Sequence, residues 1–180
     1  MQMQSALAQP PHREHSAPAQ PEFRWEPFER VIEEAMPFIV KHADELLPDG
    51  VPFNPDWPQY FALAGAGNYA VFTARVDGKI VGYSSFFLQP YIHSKGVLVA
   101  ITDVYYVADE HRVGWLGYKL KAKALAGLED LANAKGIKII YMDTATMAYS
   151  GDQEAERVAA VYKRLGCKRQ DQRFGKVLGD

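Results

Sequence analysis

A chain of 180 residues, 48% of them hydrophobic, is long enough to build one domain around a sizeable core. Its 20 lysines and arginines against 22 acidic residues leave a formal charge of −2, without the basic surplus expected of a protein that grips nucleic acid through phosphates. Cys167 is the single cysteine, which excludes an internal disulfide framework and a multi-cysteine metal site.

No apolar run approaches the roughly 20 residues of a membrane span, and no cationic start precedes an apolar core as in a secretory signal. A soluble cytoplasmic domain is expected, with no membrane or nucleic-acid partner. Residues 1–21 are rich in Gln, Pro, Ala and Ser without apolar periodicity, so they are expected to be a disordered tail. His12 and His15 within it read as solvated tail residues, since no further ligands cluster nearby. The domain proper is expected over residues 22–180, beginning with a helical part.

From Pro27 the apolar residues Phe28, Val31, Ile32, Ala35, Phe38, Ile39, His42 and Leu46 recur mostly at helical spacing, with Pro37 expected to kink or split the helix. A proline-rich connector follows, then a short helix over residues 58–64 ended by Gly65 and Gly67. Residues 69–76 and 79–88 are rich in β-branched and aromatic side chains. Asp77-Gly78 joins them as a two-residue hairpin turn. Residues 97–107 form a third strand, apolar on both faces apart from Thr102 and Asp103, as a central strand would be.

The longest helix is predicted over residues 114–134, with Leu116, Leu120, Ala124, Leu128 and Leu131 as its core stripe and Gly136 after its end. Residues 137–142 form a fourth strand, parallel to the third through a right-handed crossover. A last helix over residues 153–165 is stopped by Gly166, and short strands are expected over residues 167–170 and 174–178. The fold class is α/β: a single-domain mixed sheet with an antiparallel hairpin and a central βαβ crossover.

Between the third strand and the long helix lies Glu110-His111-Arg112-Val113-Gly114-Trp115-Leu116-Gly117. Gly114 and Gly117 let backbone approach a ligand closely, and helix-start amides beside Arg112 suit an anion; the plain alternative is an ordinary helix start with a solvated face of Lys119 and Lys123. This stretch resembles the GNAT superfamily of N-acetyltransferases, whose pyrophosphate loop reads Arg/Gln-x-x-Gly-x-Gly/Ala. Here the frame is Arg112-x-x-Trp115-x-Gly117, with Trp115 where the first glycine usually stands and Gly114 beside it. The resemblance spans roughly residues 69–178. It implies splayed parallel strands with acetyl-coenzyme A in the gap, held by Tyr106, Val107, Arg112, Val113, Gly114, Trp115, Leu116, Gly117 and Tyr118.

Val161-Tyr162-Lys163-Arg164-Leu165-Gly166-Cys167 looks like the family's closing element, in which Tyr162 matches the tyrosine that protonates the departing thiolate. A phenol of pKa about 10 can donate to a thiolate of pKa about 8.5. Ala155 stands where many members carry a cofactor-contacting Asn. Cys167 replaces the usual aromatic and reads as a small buried side chain. Asp103 matches the position of the acid that takes the amine's proton; a structurally satisfied carboxylate is the alternative, and His93 in the preceding loop is the competing base. A backbone N–H near Tyr106 or Val107 would polarise the acetyl carbonyl, and Asp143, Thr144 and Thr146 are placed along the acceptor cleft.

The expected activity is transfer of acetyl from acetyl-coenzyme A to an amine by direct attack, without a metal. The acceptor is a small molecule or a protein, and homodimer formation is left open. Two rival readings remain: a non-catalytic protein-binding module that kept the fold, motivated by Trp115 and Ala155, and a nucleic-acid binder, for which only the lysine face speaks.

Overall fold

The computed structural model of the chain describes residues 20–47, 51–142 and 152–169, the side chains of residues 46 and 152–155 excepted. Five strands form one sheet in sequential order: β1 (Glu22–Glu26), β2 (Tyr69–Val76), β3 (Lys79–Pro90), β4 (Leu98–Val107) and β5 (Ile137–Tyr141). The first four are antiparallel neighbours, and β5 runs parallel to β4. Helices α1 (Phe28–Leu46) and α2 (Trp57–Gly65) cover one face. The short α3 (Asp109–Arg112) and long α4 (Leu116–Lys135) follow β4, and α5 (Asp152–Arg164) precedes the last described residues.

Two cores lie on the two faces of the sheet. Phe28, Val31, Ile32 and Ala35 of α1 meet Tyr69, Val71, Tyr83 and Tyr106, while Leu120, Ala124 and Leu128 of α4 meet Phe72, Phe86, Ala100 and Val107. Burying each large apolar side chain contributes about 1.5–3 kcal/mol. The β2–β3 turn has φ of 50° at Asp77 and 77° at Gly78, the left-handed pair that a two-residue hairpin demands. Gly136 ends α4 at φ 75° and Gly166 follows α5 at φ 84°.

Several sequence expectations change. β1 is a strand that the sequence reading does not include. It pairs with β2, and its Trp25 indole lies so close to α4 that a Cβ on Gly127 would sit 2.9 Å from the indole nitrogen. α1 passes through Pro37 as one helix rather than two. Pro37 is exposed, so its missing N–H falls on the solvent side while the apolar stripe keeps both halves on the sheet. The helix predicted from Gly114 is instead the four-residue α3, a loop, and α4 from Leu116. Residues 167–169 are not a strand; the other strand expected over 174–178, most of the tail, and Asp143, Thr144 and Thr146 lie outside the described residues.

Gly82 lies where α4 packs against the sheet. A Cβ there would stand 2.9 Å from the Tyr106 carbonyl oxygen and 3.2 Å from Leu120 Cδ2. Since the first neighbour is backbone, Gly82→Ala is expected to destabilise by about 1–3 kcal/mol, lowering the melting temperature by about 2–12 °C. Gly65, with nothing within 4 Å of its Cβ position, is the control. A Gly82→Ala melting point equal to wild type would refute the tight contact.

Candidate active site

β4 carries one residue more than its partner between two paired positions. Ser84 opposes Tyr105 and Phe86 opposes Thr102, so Asp103 and Val104 together face Ser85. Such a bulge breaks the alternation of side chains. Asp103 and Val104 therefore both line one cavity, between the sheet and helices α1 and α2. The Val104 N–H donates to Ser85 Oγ at 3.2 Å, which satisfies an amide displaced from the ladder.

Asp103 is held by hydroxyls. Tyr69 donates to its Oδ2 at 2.8 Å and Tyr60 at 3.4 Å. Burial pushes the carboxyl above its ordinary range, while the hydroxyls of Tyr69, Tyr60 and Ser85 pull it part of the way back. Tyr60 is pushed up to about 12 by burial and then by the Asp103 charge; Tyr69 is raised by burial and then by Asp103, and Tyr83 by burial and then by Tyr106 and Asp103. His42, the cavity's other ionisable ring, is pushed down to about 4 by burial, against the pull of Glu45 and with the push of Arg112. Among the described residues that line the cavity, Asp103 is the one that carries a carboxyl group.

Beyond β4 the chain turns into α4 through a loop clasped to α1. Arg112 donates from Nε to the Val107 carbonyl at 2.8 Å and from Nη2 to both carboxylate oxygens of Glu45, at 2.8 and 3.0 Å. Asp109 adds ion pairs to Arg112 at 3.1 Å and to Lys41 of α1. The Arg112 guanidinium is thereby turned toward α1 and its carboxylates. Gly114 then takes φ 107°, with open space where a Cβ would stand. Trp115 is 71% exposed and rests edge-on against Tyr118 at 5.9 Å, so its bulk lies outside the loop. Val113, also in this loop, is 92% exposed. The first helical hydrogen bond here is from Lys119 N–H to the Trp115 carbonyl at 2.9 Å; the preceding amides belong to the open first turn, where an anion is stabilised.

Gly117 sits in that first turn for a steric reason. The Tyr105 hydroxyl donates to the Gly117 carbonyl at 2.9 Å, and a Cβ would meet that hydroxyl at 2.9 Å. Tyr105 stands on the α4 face of β4, opposite to Asp103. Its ring receives the Lys121 ammonium at 2.9 Å from the centroid, and Lys121 donates to Tyr162 Oη at 3.4 Å. Lys121 and Tyr162 are each only 5% exposed, so α4 and α5 meet through this aromatic and cationic stack.

The structure brings Asp103, Tyr106 and Val107 onto one strand, leading to the loop of Arg112, Val113, Gly114, Trp115, Leu116, Gly117 and Tyr118, with Tyr162 on the other side of that strand. β5 pairs with β4 only from Leu98 to Ile101 among the described residues, and Thr102 Oγ1 donates to the Tyr141 carbonyl at 3.2 Å where the pairing stops. His93 is not brought in. It lies exposed in the β3–β4 turn, its ring against Tyr91 at 5.3 Å, at the end of β4 away from the loop. Cys167 is partly buried, and burial pushes its thiol up, away from the reactive thiolate. The side chain of Ala155 is outside the described residues.

Sequence reasoning missed Tyr60, Tyr69, Tyr83 and Ser85 as neighbours of Asp103, and Lys121 as the neighbour of Tyr162. The available signal for Lys121 was its place one residue after Leu120, on the edge of the core stripe of α4.

Solved structures with the same fold include a ribosomal-protein-alanine N-acetyltransferase from Brucella melitensis biovar Abortus 2308, with TM-score 0.60 and 19% identity, covering 89% of this chain and 100% of that one. An aminoglycoside acetyltransferase from an uncultured soil metagenomic sample superposes with TM-score 0.62 at 16% identity over 88% of this chain and 97% of the other. A predicted acetyltransferase with acetyl-CoA, from Clostridium acetobutylicum, gives TM-score 0.61 at 13% identity over 88% and 96%. Comparison with curated protein sequences found no match. The model of the Acetyltransferase (GNAT) family matches residues 25–166, and the chain, with its bulged central strand, loop and α4, belongs to that family.

Proposed function

We propose that the protein transfers acetyl from acetyl-coenzyme A to a primary amine by direct attack. The observation that carries this reading is the buried Asp103 carboxylate, set in a cavity by the β4 bulge and held there by tyrosine hydroxyls. The loop amides after Gly114 hold the pyrophosphate, and Arg112 positions that loop through Glu45 and the Val107 carbonyl rather than through the phosphate itself. Gly114's left-handed backbone and the outward Trp115 leave the loop open to such a group. A backbone N–H at Tyr106 or Val107 receives the acetyl oxygen. Asp103 takes a proton from the amine to leave the nitrogen free to attack, and Tyr162 delivers a proton to the sulfur as the thioester breaks.

The neighbouring structure with acetyl-CoA supports the choice of donor, and the neighbours named for a protein alanine and for aminoglycosides support an amine acceptor. The test is dependence on the co-substrate. Acetyl-coenzyme A at about 100 times its Kd is expected to stabilise the fold by about 2.7 kcal/mol, read as a rise in melting temperature, and to release free thiol when an amine is added. Absence of both would instead favour a protein-binding module, a reading to which the exposed Val113 and Trp115 beside the loop lend support.

A further inference from the structure

The Asp103 cavity is selective in its chemistry. It encloses about 180 Å³, and its walls are apolar and aromatic: Phe28 and Ile32 from α1, Trp57 and Tyr60 from α2, Val71 and Tyr83 from the sheet. An apolar cavity of about 150 Å³ in another protein accommodates benzene, so this one has room for a single ring with a short arm. Among the described residues its one carboxyl group is Asp103, to which the Tyr60 and Tyr69 hydroxyls donate. A second polar group faces the same space: Tyr83 is 4% exposed, lines the cavity, and its hydroxyl has no hydrogen-bond partner among the described residues. A buried hydroxyl without a partner is costly, and a ligand's N–H or O–H removes that cost.

We propose that this cavity takes a small primary amine with one cationic nitrogen on an apolar, ring-sized body, its nitrogen bound between Asp103 and Tyr83. The inference rests on the acetyl-transfer reading for its chemistry and adds the acceptor class. Asp103 supplies the counter-charge and Tyr83 accepts one N–H, while the walls cover the body. A polycation would bury further ammonium groups against Phe28, Ile32 and Val71, where nothing neutralises them. A peptide would leave its amides unpaired for the same reason. The apolar walls also act on the bound pair itself: they disfavour separated charges, so passage of the proton from ammonium to Asp103 is easier here than in water. The neutral amine then attacks the acetyl carbon and the thioester C–S bond breaks; the sulfur takes the proton from Tyr162, and the second proton that the nitrogen sheds passes to solvent, from which the Tyr162 phenolate is reprotonated.

The experiment uses the full chain with acetyl-coenzyme A and follows thiol release with 2-phenylethylamine, spermidine, kanamycin and an alanyl peptide. Binding of 2-phenylethylamine without co-substrate is measured separately by calorimetry. The expected kcat/KM for 2-phenylethylamine exceeds each of the others by at least about tenfold. Tyr83→Phe is expected to weaken its binding about fivefold while the KM for acetyl-coenzyme A is kept. Preference for spermidine, kanamycin or the peptide overturns this acceptor class and leaves acetyl transfer standing. Binding of 2-phenylethylamine without thiol release from any amine overturns acetyl transfer and leaves the amine site. Unchanged binding in Tyr83→Phe removes Tyr83 from the site, and neither binding nor release overturns both readings.

Discussion

Asp103→Asn is expected to lower kcat/KM by a factor on the order of 10² to 10⁴ while raising the melting temperature at neutral pH, a combination that separates a catalytic base from a structural carboxylate. Burial holds the folded-state carboxyl above its unfolded value. Between those two values the folded protein binds more protons than the unfolded chain, so stability falls as pH rises through the folded value. The favourable contribution of Asp103 is complete only below the unfolded pKa of about 3.9, and above the folded value a buried charge is kept against its desolvation. Asn does not titrate, and its amide oxygen can still accept from Tyr69 and Tyr60. The stability gap between variant and wild type should therefore widen from acid toward neutral pH. The rate should respond in the opposite sense: wild-type kcat/KM rises with pH as Asp103 ionises, above the ordinary carboxylate range, whereas the variant's rise moves toward the free amine's own pKa of about 10. An unaltered pH profile in Asp103→Asn would place the base elsewhere.

The elements legible in the chain are those whose signals are local. Asp77-Gly78 dictates its own turn, and Leu116 to Leu131 repeat at helical spacing along one face, so the hairpin and α4 follow from neighbours in sequence. Asp103 stood out because it is an acid inside an apolar strand. What stayed illegible depends on distant partners. β1 is five residues long, and Trp25 has a place only because Gly127, about a hundred residues later, leaves room for it. Pro37 reads as a helix breaker until the apolar stripe on both sides of it is seen to bind one sheet face. The bulge is of the same kind. Strict alternation would send Asp103 and Val104 to opposite faces, whereas one unpaired residue opposite Ser85 turns both into the cavity and lets four hydroxyl-bearing residues from α2, β2 and β3 converge there.

Lys121 is the residue least expected from sequence, and its proximity to Tyr162 gives the second large effect. An ammonium that donates to the phenol oxygen at 3.4 Å occupies one of its lone pairs, so the phenol's own proton points away from Lys121. In the proposed reaction that proton goes to the thiolate, and the same ammonium would then face the phenolate left behind and lower the energy of the state in which charge has moved onto Tyr162. Tyr162→Phe is expected to lower kcat about 10²-fold with the KM for acetyl-coenzyme A kept. Lys121→Met, which keeps the length and apolar stem in a buried position, is expected to lower kcat at least about tenfold, again at constant KM, with partial recovery in Lys121→Arg. Lys121 also ties α4 to Tyr105 and Tyr162, so the melting temperature of Lys121→Met is measured beside kcat, and a loss of kcat without a fall in melting temperature marks lost chemistry rather than lost structure. The decisive comparison is the double variant. If Lys121 acts through Tyr162, removing both costs little more than removing the tyrosine alone, because the ammonium has no phenolate left to stabilise. Fully additive losses would mean that Lys121 serves the reaction at some other atom, and the stack of Tyr105, Lys121 and Tyr162 would then be packing between α4 and α5.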